Sequence, residues 1–556
     1  MCRARRSSSV AQLYAWLGAT LLGCGSTTHA SVAEPSPPTA SDAASKAPDA
    51  SDLAADSTTG TDHDRSASGA FVHLFEWKWT DVARECEAVL GPKGFAAVQV
   101  SPPSEHALIA SVSEPPPQPT VTYPWWQRYQ TVDYDLDKSR SGTKAEFQDM
   151  VQRCAAVGVD VYVDAVINHM TAQTTGVGSN GTTFTKYSYP GLYSYSHDDF
   201  HEPPCGITSA DYIDSAYNVQ HCELDSLADL NTGSDFVQQT LADYLIALVK
   251  MGVGGFRIDA AKHITPSELQ AIIARVNVAS APTVPYYFLE VVDNPGEAVH
   301  ASDYFGIGAA TGAKVEVTEF QYAAVGTAFL GLSPLATLSG LTQAGTGLIP
   351  SSMAVAFTTD HDTERASAIY YLDEPYYDLA MVFMLACPYG YPSIMSSFAF
   401  DRSTQAGLDS GPPSDTQGNT TPVYDPATGI ANCAPSPAAA TPGMWVCQHR
   451  LQSVTNMLQF RKITSGQAVT NWWDDGTNRI AFGRGDKGFV VFNREGTMLQ
   501  STFHTGLPQG TYCDVVGGGS SGATCSGASA TVDASGMTQI TLAAYSASAF
   551  HVGAKL

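Results

Sequence analysis

The chain has little positive charge: 29 Lys and Arg stand against 54 Asp and Glu in 556 residues, for a formal net charge of −25. With no basic stripe to neutralise phosphates, a nucleic-acid partner is excluded, while an uncharged ligand is compatible with such a surface. Long hydrophobic runs are missing too. The apolar run from Val10 to Cys24, broken by Gln12, is too short to span a bilayer comfortably. No internal repeat is present, so the chain is not a tandem array. Large apolar residues are almost absent across residues 25–68, where Ala, Ser, Asp, Thr and Pro dominate; this stretch cannot build a core and reads as a disordered linker. The rest is ordinary globular material. The whole chain is 44% hydrophobic with 48 Gly and 32 Pro, enough for one large domain and smaller ones.

Arg3, Arg5 and Arg6 precede the short apolar run and form the positive end of an export signal over residues 1–24. Leu21-Leu22-Gly23-Cys24 resembles a bacterial lipobox, in which the Cys is lipidated and becomes the mature N-terminus. Cleavage after Ala30 is the competing reading. The lipobox is favoured, because a free Cys24 would be an odd reactive leftover in an exported protein. The expected product is a lipoprotein on the cell envelope, anchored through Cys24, or a secreted protein.

From Ala70 onward short apolar runs alternate with helical patterns. Phe71 to Phe75 reads as a strand, followed by a helix opened by Thr80. Further strands are expected at Ala96 to Val100, Val159 to Ile167, the stretch from Gly255, Tyr286 to Val292, Lys314 to Thr318, Ala354 to Thr359 and Tyr389 to Ser396. Between them, Phe236 to Val249 carries Val237, Leu241, Leu245 and Leu248 at helical spacing. About eight strands alternating with helices predict a closed parallel barrel, an α/β fold of the TIM (β/α)8 class. Residues 170–230 lack helical periodicity and read as an irregular subdomain inserted after the third strand. From residue 465 to 556 short alternating strands with Gly-rich turns predict a separate all-β sandwich domain. The barrel then comprises residues 69–169 and 231–464.

Gly255-Phe256-Arg257-Ile258-Asp259 puts Arg257 and Asp259 on one face of a strand and the apolar residues on the other. Taken alone the pair is either a buried structural ion pair or a carboxylate kept ionised for attack, its pKa lowered by the neighbouring cation. Other polar residues also fall at strand ends: Asn168 and His169 after the third strand, Glu290 after the fifth, His361 and Asp362 after the seventh. In a barrel of this type the chemistry lies at the C-terminal ends of the strands, so three carboxylates from three strands converge. Two carboxylates flanking a bond are what glycoside hydrolysis requires. Asp259, beside its cation, suits the nucleophile. Glu290, among Phe288, Leu289, Val291 and Val292, suits the acid, because an apolar setting raises its pKa.

The chain resembles the α-amylases of the large barrel-fold glycoside hydrolase family, of the animal and actinobacterial type. The resemblance rests on Val72-His73-Leu74-Phe75-Glu76-Trp77, Gln99-Val100-Ser101-Pro102-Pro103, Pro124-Trp125-Trp126-Gln127-Arg128-Tyr129-Gln130, Asp164-Ala165-Val166-Ile167-Asn168-His169, Gly255 to His263 and Phe383-Met384-Leu385-Ala386. It implies Asp259 as nucleophile, Glu290 as acid/base and Asp362 as the carboxylate that stabilises an oxocarbenium-like transition state. Arg257 would orient and ionise Asp259, and His169 and His361 would donate to the same sugar. Lys262 and His263 would border the next sugar. Trp125, Trp126 and Tyr129 would stack on sugar faces from an exposed loop, with core packing the alternative for the two Trp, and Gln130 would bond a hydroxyl. Four disulfides are implied as well: Cys86 with Cys154, Cys205 with Cys222, Cys433 with Cys447 and Cys513 with Cys525. Cys387, between Leu385 and Pro388, is left as a buried free thiol.

The resemblance further implies a structural Ca²⁺ between barrel and subdomain, held by Asn168, Asp229 and the backbone carbonyls of Gln220 and His263, an all-oxygen set suited to a hard cation. Animal-type members also bind an activating chloride through the strand-four Arg, an Asn before the His-Asp pair and a basic group after the strand-eight Pro-Tyr-Gly. Here Arg257 is kept, but Asp360 and Ser393 fill the other positions, and both changes oppose chloride. Asp360 is expected to serve instead as a built-in counter-ion to Arg257. The expected protein is an exported monomeric α-amylase that cleaves internal α-1,4-glucosidic bonds of starch-like glucans with retention. A related α-glucan transferase or a maltooligosaccharide-forming hydrolase is the alternative. A non-catalytic glucan-binding protein fits poorly, since all three carboxylates are present.

Overall fold

The computed structural model describes residues 69–556 except 115–117, 119, 342–346 and 367. The expected signal, Cys24 and the linker lie outside the described residues. Eight parallel strands close into a barrel: β1 (Phe71–Leu74), β2 (Ala97–Val100), β3 (Asp160–Val166), β4 (Gly255–Asp259), β5 (Tyr286–Leu289), β6 (Val315–Glu319), β7 (Ala354–Ala356) and β8 (Tyr391–Ser396). Each neighbours the next in sequence, and β8 pairs with β1. A helix follows each strand in turn: α1 (Trp79–Glu85), α2 (Lys144–Ala156), α3 (Asp235–Met251), α4 (Pro266–Ser280), α5 (Gly306–Thr311), α6 (Ala323–Phe329), α7 (Tyr376–Ala386) and α8 (Gln452–Ile463). The expected barrel with its all-β C-terminal domain is therefore the observed fold.

Two expectations need correction. The helix α1 begins at Trp79 with Lys78 at its N-cap and no side-chain cap, so Thr80 lies inside the first turn and does not open it. The strands β5 and β7 are shorter than their apolar runs, ending at Leu289 and Ala356. Beyond those points the chain leaves the ladder while still buried, and the freed segments carry Glu290 and Asp360 to Asp362.

Inside the barrel the side chains fill layers. Phe71, Tyr162, Tyr286, Phe288 and Tyr391 form an aromatic plug toward the lower end, with Phe71 4.9–5.5 Å from the rings of Tyr162, Phe288 and Tyr391. Gly255 is required there: a Cβ would stand 2.7 Å from the Tyr286 carbonyl oxygen and 2.9 Å from the Tyr162 ring. Two residues further along β4, the plug gives way to charge. Phe256 and Ile258 face outward into the main core, as strand alternation requires.

The subdomain after β3 is built from a short hairpin (Thr175–Val177 with Thr183–Thr185), short helical turns and the Cys205–Cys222 disulfide. It is sewn to the barrel by backbone bonds from Met170 to Ala228 (2.9 Å) and from Leu230 to Asn168 (3.1 Å). The other three expected disulfides also form, and Cys387 is buried and free, its thiol pushed up to about 11 by burial.

The C-terminal domain holds a four-stranded antiparallel sheet of β9 (Val469–Asp474), β10 (Arg479–Arg484), β11 (Gly488–Asn493) and β16 (Ser546–His551). Paired strands β12 (Leu499–His504) with β15 (Met537–Leu542), and β13 (Gly510–Cys513) with β14 (Ser529–Val532), cover one face. Phe489, Val491, Phe503, Tyr512 and Ile540 form the core between them. From the other face Phe482 and Phe492 reach Phe383 of α7 at 5.9 and 5.7 Å. The helix α7 is buried along nearly its whole length, which explains a sequence apolar on every side rather than on one stripe.

Candidate active site

Arg257 points into the barrel from β4, 4% exposed, and gathers carboxylates. Its Nη1 donates to Asp164 Oδ1 at 2.6 Å and to Asp259 Oδ1 at 2.9 Å, and its Nη2 to Glu290 Oε1 at 2.5 Å. Asp164 is the β3 residue in register with Arg257. Its second oxygen accepts from the Tyr129 hydroxyl (3.0 Å) and Gln99 Nε2 (3.4 Å), so it is sealed from solvent. The Glu290 Oε2 accepts the backbone N–H of Ala260 at 2.7 Å. Ala260 adopts a left-handed φ of 48°, a costly conformation for a residue with a Cβ, and that conformation aims its N–H at Glu290.

The electrostatics overturn one expectation. Burial holds Asp259 well above the usual carboxylate range; Arg257 opposes this, while Glu290 and Asp164 add to it. Arg257 is outnumbered, because Asp164, Asp259 and Glu290 bond to it and Asp360 and Asp362 lie within its field. Burial and mutual repulsion make such carboxylates harder to ionise than isolated ones. Asp362 is likewise raised, by burial and then by Asp360 and Glu290. The expected apolar setting of Glu290 is also corrected. Its apolar chain neighbours pack elsewhere in the barrel wall, and its carboxylate sits on two N–H donors.

His361 lies between two rings, Tyr129 at 5.3 Å and nearly parallel, and Phe75 at 4.9 Å. Its Nε2 is 3.3 Å from Asp362 Oδ2, and burial keeps the imidazole neutral. His169 Nε2 is 3.1 Å from the Tyr129 carbonyl oxygen, and burial brings its pKa down to about 4. Asp360 does not pair with Arg257 as expected. Its Oδ1 accepts from the backbone N–H and hydroxyl of Thr363, both at 2.7 Å, and the counter-ion role falls to Asp164. Next to Arg257 a small cavity of ≈ 20 Å³ is bordered by His73, Gln99, Arg257, Asp360 and Ser393.

Two family models match the chain: the α-amylase catalytic domain over residues 113–321 and the α-amylase C-terminal all-beta domain over residues 470–553. The α-amylase of Oryzias latipes is 40% identical over 497 residues, covering 85% of this chain and 91% of that protein. That of Tribolium castaneum is 41% identical over 514 residues, covering 89% and 96%. The chain belongs to the α-amylase family. Among solved structures, α-amylase I of Eisenia fetida superposes with a TM-score of 0.74 at 35% identity, covering 87% of this chain and 97% of that one, and a mutant of it was solved with maltohexaose.

The remaining positions expected of an α-amylase land unevenly. Trp125 to Tyr129 forms a 3₁₀ turn, not an exposed loop, in which Trp125, Gln127, Arg128 and Tyr129 are buried. Trp125 is 4% exposed and its indole N–H donates to the Leu408 carbonyl, because the turn is pinned by Arg128, whose guanidinium reaches Glu76 (3.0 Å) and the Pro102 carbonyl. Trp126 keeps exposed surface and donates to Asp409 Oδ1 at 3.3 Å. Gln130 is buried, its Oε1 accepting from Ala172 N–H. Lys262 is not free to meet a sugar in this state: its buried ammonium is bonded to the Val292 carbonyl and paired with Glu297, as a desolvated cation must be. His263 is buried too, its Nδ1 2.8 Å from the Val219 carbonyl oxygen.

The expected calcium positions lie on adjoining segments. His169 and Asp229 face each other across a backbone bridge, which brings Asn168 beside Asp229, and the His263 ring binds the helix that carries Gln220. Asp229 is buried with His201 Nδ1 at 2.7 Å as its partner, and burial pushes its carboxyl up to about 7. A buried carboxylate beside a buried carboxamide and main-chain carbonyls fits a hard cation. Sequence reasoning missed Asp164 as the partner of Arg257, although a carboxylate on the inward face of the apolar strand β3 was a visible signal. It also missed Tyr212, which lies under the Lys262 ammonium at 5.1 Å. That contact has no signature in local sequence.

Proposed function

We propose that Asp259, Glu290 and Asp362 carry the α-amylase reaction of this enzyme. The observation that supports this is access within the cluster. Asp164 is sealed at 0% side-chain exposure, whereas Asp259, Glu290 and Asp362 keep 10, 12 and 16%. Asp360 is partly exposed as well, but its Oδ1 is held by Thr363, which leaves those three as the carboxylates open to a sugar from the strand ends.

The enzyme hydrolyses internal α-1,4-glucosidic bonds of starch-like glucans. In the assigned roles, Glu290 gives its proton to the glycosidic oxygen while Asp259 attacks the anomeric carbon, forming a glycosyl ester and releasing the reducing-end fragment. A water then attacks that carbon, losing its proton to Glu290, and Asp259 leaves. Placing Asp259 and Glu290 on the two Nη atoms of one guanidinium keeps them close, as retention requires. Asp362, with His361 beside it, stabilises the positive charge that develops on the sugar. His169 and His361 donate to sugar hydroxyls, and Trp126 with the edge of Tyr129 supplies a stacking surface. Incubation with soluble starch tests the reading: new reducing ends should appear in the wild type, and Glu290→Gln should release almost none. A near-normal rate in that variant would refute the assigned acid.

Ca²⁺ is assigned to Asn168, Asp229 and the carbonyls of Gln220 and His263. When bound it supplies positive charge to the buried Asp229. The residues themselves tie the ends of β3 and β4 to the subdomain. Chloride independence is assigned from the cavity next to Arg257, whose wall carries the Asp360 carboxylate and the neutral Ser393 in a space of ≈ 20 Å³. An anion there would meet a carboxylate at close range. Export is supported by four disulfides, which persist in oxidising compartments; the lipid anchor on Cys24 is the finer form of that proposal.

A further inference from the structure

Behind His361 sits a second buried arginine that the reaction scheme does not use. Arg365 is 6% exposed and lies in a cage of four rings: Phe400 at 4.3 Å, Trp125 at 5.0 Å, Phe398 at 5.2 Å and Phe75 at 5.4 Å. Two of these, Phe75 and Trp125, also touch the His361 imidazole, at 4.9 and 5.6 Å. The guanidinium Nη1 donates to the His361 carbonyl at 2.6 Å, and the Arg365 backbone N–H donates to the Asp362 carbonyl at 3.0 Å. One residue therefore holds the main chain of both members of the His361–Asp362 pair. The same Nη1 reaches Glu364 Oε1 at 2.8 Å, and Glu364 in turn accepts from the Ser397 hydroxyl at 2.5 Å. Nε and Nη2 of Arg365 are buried without a hydrogen-bond partner, so the cation is only partly neutralised and the ring faces carry part of its compensation.

We propose that Arg365 is a positioning residue for catalysis: it fixes the His361–Asp362 segment and places, behind Arg257, a second positive charge that opposes proton uptake at this end of the carboxylate cluster. This rests on the assignment of Asp362 to the reaction. The groups facing His361 are Arg257 on β4, His73 on β1, Tyr129 on the 3₁₀ turn, and Asp360 and Asp362 on its own segment; Arg365 approaches from behind. A cation there opposes protonation of His361 and favours ionised carboxylates. Glu364 partly cancels it.

The test is a pair of variants with opposite signs. Arg365→Met removes the charge and keeps most of the volume; Glu364→Gln keeps the hydrogen bonds and leaves the Arg365 charge uncompensated. Starch hydrolysis is followed across pH. For Arg365→Met, kcat should fall about tenfold or more with KM changed less than about threefold, and the acid limb of kcat/KM should move to higher pH. For Glu364→Gln the acid limb should move to lower pH. Arg365→Lys should recover part of the Arg365→Met loss, because it restores charge without the planar fork. If Arg365→Met does not fold, the Glu364→Gln and Arg365→Lys profiles decide. Coincident acid limbs in the variants and the wild type, with losses no larger than the unfolded fraction, would reduce Arg365 to packing and overturn the proposal. An inactive wild type would instead overturn the assignment of the reaction itself.

Discussion

Two buried carboxylate networks in this molecule use the same ingredients to opposite ends. At the top of the barrel, three carboxylates share Arg257 with two more nearby, and burial holds Asp259 and Asp362 above their ordinary range. On the flank, Glu85 of α1 stands alone among donors: His449 Nε2 and Arg450 Nε at 2.8 Å and the Tyr424 hydroxyl at 2.5 Å. Burial alone would raise Glu85, but His449 and Arg450 outweigh it and bring its pKa down to about 2. Burial pulls His449 down while Glu85 pulls it up, and Arg450 adds a permanent charge beside the carboxylate. The first network raises the proton affinity of its carboxylates. The second holds a fixed charge that stabilises the fold. The ratio of carboxylates to cations, not burial, separates a reactive cluster from a structural one.

The sharpest break of this comparison is Glu290→Gln, which should cut starch hydrolysis by about 10³-fold or more while leaving the unfolding transition in place. Glu85→Gln should do the reverse, costing about 2–3 kcal/mol in denaturant unfolding with kcat nearly unchanged at permissive temperature. The pH dependence carries the sign. A depressed pKa contributes stability that is full above the unfolded value of about 4.3 and is lost as pH falls through about 2, so the gap between wild type and Glu85→Gln should close over that window. For the catalytic cluster, the acid limb of kcat/KM should lie above the ordinary carboxylate value of about 4, since Asp259 and Asp362 are raised. Asp229→Asn should abolish the rise in thermal stability that added Ca²⁺ gives the wild type, read by calorimetry with and without chelator. The smallest effect is expected for chloride, which should change activity by less than about twofold in a halide-free sample; severalfold activation would restore the anion to the cavity next to Arg257.

Much of the barrel was legible in the sequence because its signals are local. The run of β4 shows its inward and outward faces at a glance, and the helical spacing of Val237 to Leu248 marks α3. The candidate catalytic positions were visible for the same reason, each standing at the end of an apolar run. Charge state was not. The surroundings of Asp259 depend on Asp164, 95 residues away, and on Glu290, reached only when neighbouring strands come into register. Strand ends misled in a consistent way: the apolar runs after Leu289 and Ala356 stay buried after leaving the ladder, so hydropathy cannot see the exit. The Trp125 to Tyr129 turn looked exposed because its burying partners, Phe75 and Glu76 on one side and Leu408 on the other, lie in two segments far from it in sequence.

The helix α7 has a last consequence. Its two sides serve two domains, with the barrel on one and Phe482 and Phe492 on the other, and Arg484 of the β domain reaches back to the carbonyls of Ala386 and Thr464. The break in pattern near residue 465 is therefore a seam in the chain but not in the energy. A fragment cut there would present Phe383 and its neighbours to water as a sticky face, and would gather into aggregates before it met a substrate. The small domain that does no chemistry is in this sense the outer wall of the large one that does.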